Sequence, residues 1–334
     1  MRIGQRLKRE LRADLPLLIL LFLVVAFFWA LSKKHSYLSL GNIGYILNSM
    51  VIYTLFAVGG GLVIIFGEID LAPGYIGTAA GTLMAVLLNK TGLPWYVVML
   101  CGIVLGGAFG LLNAFLINEW KIQSFIATLA TGSFLAAGFA YIVAGGITYE
   151  IKDAAVIWLG TKKIFGFLNV SVILAFLVIL IYGIALAKTP FGRSIYLCGE
   201  SKKASRLVGI NPKRLSYLLF ANSGMLGALA GMLYDARQCA GNLTGTNHYV
   251  FPSVTAAILG GLALGGGKGD MFGCFLGLLI VSCFNNGLSV LGVSPYWQNV
   301  ASGVLLLITL TISYFMNFQR KKKKQGGDVV GKTA

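Results

Sequence analysis

Apolar runs of about twenty residues, following one another along the chain, constrain its fold more than any other feature. A run of that length crosses the hydrocarbon core of a bilayer as an α-helix. The runs do not alternate apolar and polar residues as the strands of a membrane barrel do. Charged residues make up 11% of the sequence, whereas a soluble domain carries about 25%. The sequence therefore predicts an all-α, polytopic helical membrane protein.

Ten crossings account for the apolar runs and form a single membrane domain, residues 15–317. A basic tail, residues 1–14, precedes this domain, and a second basic tail, residues 318–334, follows it and is expected to be disordered. A long polar loop, residues 188–214, separates six crossings from four. The crossings are predicted at 15–31, 45–66, 74–88, 95–117, 124–143, 168–187, 215–234, 250–264, 271–289 and 298–317.

Basic residues are distributed unevenly between the two sides that ten crossings define. Seven of the 27 Lys and Arg residues fall on the side opposite the tails, and twenty fall on the side of the tails and the central loop. Because Lys and Arg are enriched in cytoplasmic segments, both termini and the loop are predicted to lie in the cytoplasm. Contacts with anionic membrane lipids account for the net charge. No nucleic-acid-binding motif accompanies it, so nucleic acid is not an expected partner.

Two of the predicted crossings are short or broken. The third has about 14 residues, or about 21 Å of helix, against a hydrocarbon core of about 30 Å. The eighth breaks up at two glycine clusters, 260–261 and 265–267. Such helices either border a solute path or pack closely against their neighbours. The sequence leaves both interpretations open.

Similar motifs flank these two unusual crossings. FGEIDLAPG ends at Gly74 and GGKGDMFG ends at Gly273, and in each an Asp follows a glycine-bearing run. A proline beside aromatic residues comes 24 or 25 residues after each Asp, at Pro94 and Pro295. An internal duplication and chance similarity between glycine-rich segments both explain this pattern.

Polar side chains within or beside the apolar runs are candidates for a solute path. The carboxylates of Glu68, Asp70 and Asp270 either cap the helices that follow them, contact a solute or carry a coupled proton. Asparagines within crossings either join helices by hydrogen bonds or offer a donor and an acceptor to a neutral solute. The scarcity of charge within the crossings favours a neutral solute. The candidate path or gate residues are Asn48, Asp70, Asn222, Asp270, Asn285 and Asn286.

Enzymatic motifs are not found in the chain. Its two histidines, His35 and His248, fall on separate predicted outer loops, which argues against a paired-histidine metal site. The run LALGGGKGD at 262–270 lacks the Ser or Thr that follows the lysine of a phosphate-binding loop. We therefore expect no catalytic residue, cofactor or metal on this chain.

The central loop is the longest polar segment between crossings. Over residues 189–215 it carries six Lys or Arg against one Glu. Residues 200–207 are predicted to form a short amphipathic helix, which Gly209 would end. A short helix parallel to the membrane would suit a transporter that receives force from a soluble motor. A basic loop that only contacts lipid explains the same pattern.

Six segments follow one another along the chain: 67–74, 127–146, 189–210, 227–237, 256–277 and 285–298. In this order they closely resemble the permease subunits of ribose-type bacterial ABC sugar importers, over roughly residues 45–316. The wider superfamily also contains importers of branched-chain amino acids and nucleosides, which are less similar. Two positions depart from the family pattern: Glu68 stands where glycine is usual, and Ala72-Pro73 stands where Ser-Val is usual.

The resemblance implies a permease subunit in the bacterial plasma (inner) membrane that imports a simple, ribose-like sugar. Its implied partners are an ABC ATPase subunit with two nucleotide-binding halves, a second permease copy or a related permease, and an extracytoplasmic sugar-binding protein. ATP and Mg would be bound by the ATPase. The alternatives are an ion-coupled secondary transporter of a small polar solute and an ABC permease for nucleosides or branched-chain amino acids. The ATPase-coupling residues implied by the resemblance are Gly199, Glu200, Ala204, Arg206, Leu207, Gly209 and Ile210.

The predicted orientation is testable by labelling. In a cysteine-free background, Lys203→Cys should stay unmodified by a membrane-impermeant thiol reagent in intact cells and react after permeabilisation, because residue 203 is predicted to be cytoplasmic. Labelling of intact cells at this position would contradict both the orientation and the ten-crossing topology.

Overall fold

The computed structural model describes residues 3–294, together with 296–298, 300, 301, 303, 304, 307 and 311. The described chain is mostly helical, which confirms the predicted fold class. Strands occur as two short antiparallel pairs. β1 (Tyr149–Glu150) pairs with β4 (Ala240–Gly241), and β2 (Lys163–Ile164) pairs with β3 (Leu168–Asn169).

The helices follow the apolar runs closely. A π-helical turn, Thr131–Ala136, joins α5 to α6, and 3-10 turns lie at Lys33–Leu38 and Asn247–Tyr249. The α-helices are α1 (Ile3–Leu31), α2 (Leu40–Ile65), α3 (Pro73–Lys90), α4 (Trp95–Asn118), α5 (Ser124–Ala130), α6 (Ala137–Ala144), α7 (Ala154–Thr161), α8 (Val170–Lys188), α9 (Pro190–Glu200), α10 (Lys202–Leu207), α11 (Pro212–Gln238), α12 (Val250–Leu259) and α13 (Met271–Val290).

Six helices of the described chain are long and apolar enough to cross a membrane: α2, α4, the helix from α5 through α6, α8, α11 and α13. The predicted count of ten is therefore not confirmed. The apolar part of α1, Leu15–Leu31, is a shorter segment, and α1 itself begins at Ile3 rather than at residue 15. The eighth crossing is a helix of only 10 residues, α12. Most of the tenth crossing and the tail 318–334 lie outside the described residues.

Helix α11 packs in the centre of the bundle, against α2, α3 and α4. Small residues line its contacts, so backbones approach directly. A Cβ at Gly106 of α4 would lie 2.6 Å from the Cβ of Ala228. On the α3 side, a Cβ at Gly77 would lie 2.7 Å from the carbonyl oxygen of Gly227, and one at Gly231 would overlap the backbone of Gly77. These helices cross where glycine leaves room.

Contacts between connecting segments divide the bundle into two ends. At the end that carries residues 188–214, hereafter the loop end, Lys213 forms an ion pair with Glu119 at 2.5 Å. The hydrogen bond from Lys213 lowers the pKa of that carboxyl group. At the opposite end, the backbone N–H of Ile151 donates to the carbonyl oxygen of Cys239 at 2.8 Å. In each case the contact joins two connecting segments that the predicted ten-crossing topology places on the same side of the membrane.

The close crossing of α3 and α11 generates a stability prediction. Gly231→Ala should lower the free energy of unfolding by about 1–3 kcal/mol, because the new methyl group overlaps rigid backbone. Gly60→Ala is the matched control, since a Cβ there meets no atom within 4 Å and alanine favours the helix. Thermal unfolding in detergent measures both. Equal melting temperatures for the two variants would contradict this account of the crossing.

Candidate functional site

A cavity of about 420 Å³ opens between α2, α12 and α13 towards the opposite end of the bundle. This volume lies within the range of about 300–1,000 Å³ that is usual for small-molecule pockets. Tyrosine, amide and hydroxyl side chains dominate its wall. The lining residues are Tyr45, Ser49, Tyr53, His248, Tyr249, Pro252, Ser282, Asn285, Asn286, Ser289 and Gln298.

Helical periodicity explains why these side chains share one wall. Tyr45, Ser49 and Tyr53 are four residues apart and so lie on one face of α2. The polar residues of α13, from Ser282 to Ser289, recur at intervals of three or four. Tyr249 joins the helices, because its ring contacts that of Tyr53 with the centroids 5.0 Å apart. The wall therefore combines aromatic faces with hydrogen-bonding groups.

The cavity carries no fixed charge on its described lining. None of the residues that line it is Asp, Glu, Lys or Arg. His248 is the only titratable imidazole there, and burial lowers its pKa below the usual value, so it stays neutral near pH 7. Such a wall offers hydrogen-bond donors, acceptors and ring faces to a neutral polar solute.

Asn286 has a structural role in addition to lining the cavity. The side-chain amides of Asn286 and Asn42 each donate a hydrogen bond of 2.9 Å to the carbonyl oxygen of the other. Nearby, the hydroxyl of Tyr37 donates to the backbone carbonyl of Cys283 at 2.7 Å. These bonds hold the start of α2 and the segment before it against α13. Asn285, at the preceding position of α13, also belongs to the cavity wall.

Asn48 lies beside this cavity, in a second cavity of about 320 Å³ at the same end. Its side chain accepts from the N–H of Asn169 at 2.8 Å and donates to the carbonyl oxygen of Phe167 at 3.2 Å. The guanidinium of Arg237 donates to the backbone carbonyl of Asn48 at 3.2 Å and lies over the ring of Tyr45. Asn48 therefore anchors the segment before α8, and its cavity, unlike the first, is cationic.

The other three candidate path residues lie apart from these cavities. The hydroxyl of Tyr182 on α8 donates to the side-chain oxygen of Asn222, near the middle of α11. Asp270 accepts from the N–H of Gly273 at 2.8 Å and is the N-cap of α13. Asp70 is 2% exposed and accepts from the N–H of Ala72 at 3.0 Å. The structure therefore does not bring the six candidates into one site.

Capping explains the acidic residues only in part. Asp270 caps a helix, as one of its interpretations predicts. The carboxylate of Asp70 accepts a hydrogen bond from the backbone of the turn before α3, but the N-cap of that helix is Ala72. Glu68 does not cap a helix; its carboxylate forms an ion pair with Lys202 of the central loop. This contact across 134 residues depends on the tertiary fold, so local sequence does not predict it.

The central loop contains two helices instead of one. The predicted helix 200–207 is wrong at its start, because Glu200 is the last residue of α9 and Ser201 is extended, with φ −161°. The hydroxyl of Ser201 accepts from the N–H of Ala204 at 3.2 Å and caps α10. Gly209, with φ +82°, follows the helix end as predicted.

The predicted coupling residues differ in exposure. Leu207 is 89% exposed at the tip of α10, and the side chains of Glu200, Ala204 and Arg206 are also exposed. An exposed leucine among basic residues suits contact with another protein. Ile210 packs against the core, and Gly199 lies against other backbone segments. The loop therefore has an outward tip and an inward base.

Sequence reasoning missed the tyrosines of the first cavity. Tyr45 and Tyr53 occur in an apolar run, where aromatic residues are ordinary, and Tyr249 belongs to a predicted boundary. The four-residue spacing of Tyr45, Ser49 and Tyr53 was the available signal, because it places two hydroxyl-bearing rings on one helix face. The convergence of Tyr45 and Tyr53 with α13 depends on packing between helices more than 200 residues apart.

The chain is similar to known permease proteins over most of its length. The model of the family described as "Branched-chain amino acid transport system / permease component" matches residues 42–310. The ribose import permease protein RbsC of Haemophilus influenzae is 31% identical over 319 residues, 93% of this chain and 95% of that protein. RbsC of Bacillus subtilis is 34% identical, covering 83% and 86%. The L-arabinose transport system permease protein AraH of Escherichia coli is 31% identical, covering 77% of each.

Proposed function

We propose a specific transport role on the premise that this chain belongs to the family of branched-chain amino acid transport system permease components. It is a multi-pass permease subunit, and its proposed cargo is a neutral monosaccharide. The uncharged cavity lined by tyrosine and amide side chains carries this proposal. The permeases that resemble it over most of their length are named for the import of ribose and fructose and for the transport of xylose and L-arabinose.

The chemistry of the cavity favours a sugar over an amino acid. A zwitterionic amino acid presents an ammonium group and a carboxylate, and moving these from water without charged partners is costly. A sugar presents hydroxyl groups, which both donate and accept, and apolar C–H faces. Amide side chains match the hydroxyl groups, and the rings of Tyr53 and Tyr249 offer flat apolar surfaces.

Energy for transport is proposed to come from a separate ABC ATPase with two nucleotide-binding halves. The exposed tip of α10, from Ala204 to Leu207, is the proposed contact with that subunit. A second permease subunit and an extracytoplasmic sugar-binding protein complete the proposed importer, and the loop end is proposed to face the cytoplasm. ATP-driven movement of the loop would switch the packed helices between outward-open and inward-open states.

The cavity assignment is tested by sugar uptake in cells that carry the complete importer. Tyr53→Phe and Asn285→Ala should each lower the maximal rate about two- to tenfold, the effect of losing one hydrogen bond of about 0.5–1.5 kcal/mol. The concentration for half-maximal uptake should change little, because the binding protein captures the sugar. Tyr141→Phe is the control, since Tyr141 is exposed outside the cavity. Wild-type rates for both cavity variants would contradict the assignment.

The ATPase contact is tested by reversing one charge at the tip of α10. Arg206→Glu should abolish uptake and reduce copurification of the ATPase subunit, while the amount of permease in the membrane stays unchanged. Lys188→Glu makes the same charge change on an exposed residue at the same end of the bundle and should leave both measurements near wild type. Normal uptake by Arg206→Glu would remove the tip of α10 from the proposed contact.

A further inference from the structure

The two connectors that carry the similar motifs meet at the loop end of the bundle. One connector, residues 65–72, begins with the last residue of α2 and leads to α3, and the other, residues 260–270, joins α12 to α13. They are bonded directly, because the N–H of Gly267 donates to the carbonyl oxygen of Ile65 at 2.8 Å. The base of the central loop lies against both connectors, and the hydroxyl of Tyr196 on α9 donates to the carbonyl oxygen of Gly269 at 2.6 Å.

Glycine makes this meeting possible. A Cβ at Gly199 would overlap both the carbonyl oxygen of Ile65 and the N–H of Gly267. A Cβ at Gly266, where φ is +77°, would lie 2.9 Å from the Cα of Gly67 and 2.8 Å from the carbonyl oxygen of Gly199. We call these four residues, Gly67, Gly199, Gly266 and Gly267, the glycine junction. The atoms nearest to a Cβ at Gly199 or Gly266 all belong to backbone, so no flexible side chain absorbs a displacement at these two positions.

Residues next to the glycine junction form polar contacts that hold the central loop to both connectors. Lys202 forms its ion pair with Glu68, and its ammonium group lies 4.9 Å from the centroid of the Phe66 ring. Burial raises the pKa of Tyr196 to about 12, with a further contribution from Asp270. The phenol therefore keeps its proton and remains a donor to Gly269. The loop is attached to the first connector by charge and to the second by a hydrogen bond.

Two of the helices that meet the glycine junction, α2 and α13, also line the uncharged cavity of about 420 Å³. α2 ends at Ile65 beside the junction and carries Tyr45 and Tyr53 towards its other end. α13 begins at Met271, just after the second connector, and carries Asn285 and Asn286 towards its other end. A contiguous path of packed backbone therefore runs from the exposed tip of α10 through the junction to two walls of the cavity, the kind of network through which coupling is carried.

We propose that Gly199 is a positioning residue for transport: through the glycine junction, it makes α2 and α13 move with the central loop, so that the loop's displacement opens or closes the cavity. This inference rests on the proposed function, since it presupposes a motor that moves the loop. Gly199 thereby acts on the connectors behind the loop, and the outward tip of α10 is left to contact the ATPase.

The test uses the complete importer, reconstituted in lipid vesicles, and measures sugar transported per ATP hydrolysed. Gly199→Ala should lower this ratio at least tenfold, because the methyl group separates the loop from both connectors. Gly265→Ala is the matched control: it lies in the second connector, and a Cβ there meets no atom within 4 Å. Its ratio should equal that of wild type. A wild-type ratio for Gly199→Ala would overturn the proposal.

Tyr196→Phe keeps the test decisive if Gly199→Ala fails to fold. It removes only the hydroxyl that bonds Gly269, and should lower the ratio two- to fivefold with an unchanged melting temperature. A structural role alone would change the melting temperature and leave the ratio intact, and that result would also overturn the proposal. Failure of the proposed function has a different signature, because then the wild-type importer itself would transport no sugar.

Discussion

Direct backbone contact through glycine is the constraint on which the rest of the structure depends. In a bilayer, apolar side chains gain little by leaving lipid, so helices associate through close packing. The central helix α11 meets α3 and α4 at positions such as Gly77, Gly106 and Gly231, where any side chain would collide with a neighbour. The same device recurs at the loop end, where the connectors and α9 meet. Packing at the crossings and contact at the glycine junction therefore have one physical origin.

Rigid crossings allow the two ends of the bundle to have different chemistry. The loop end carries basic residues, the Glu68–Lys202 and Glu119–Lys213 ion pairs and an exposed leucine, features suited to contact with a water-soluble protein. The opposite end carries an uncharged cavity of tyrosine and amide side chains. α2 and α13 span the distance between them. The proposed importer depends on this separation, because the groups proposed to meet the ATPase differ from those proposed to meet the sugar.

The candidate site was predictable in part. Asn285 and Asn286 were identified because polar side chains within apolar runs are costly unless they bond or bind, and both line the cavity. Asp70, Asn222 and Asp270 were identified for the same reason, yet they hold local or interhelical contacts elsewhere in the bundle. The sequence around a polar residue indicates that its side chain needs a hydrogen-bonding partner, but it does not identify that partner. Only the structure distinguishes the amide that bonds a helix from the one that faces a cavity.

Sequence alone determined the class of this protein, because hydropathy over about twenty residues reflects the thickness of a bilayer and needs no tertiary information. It also predicted the glycine that follows α10, and it offered the N-cap at Asp270 as one of three interpretations. Each of these signals lies within a few residues of its effect. The tertiary structure decided what is joined over long distances: Tyr53 with Tyr249, Glu68 with Lys202, and Gly199 with both connectors. These contacts depend on which helices cross and where they cross. The sequence of one helix shows that the helix can pack closely, but it does not show which other helix it packs against.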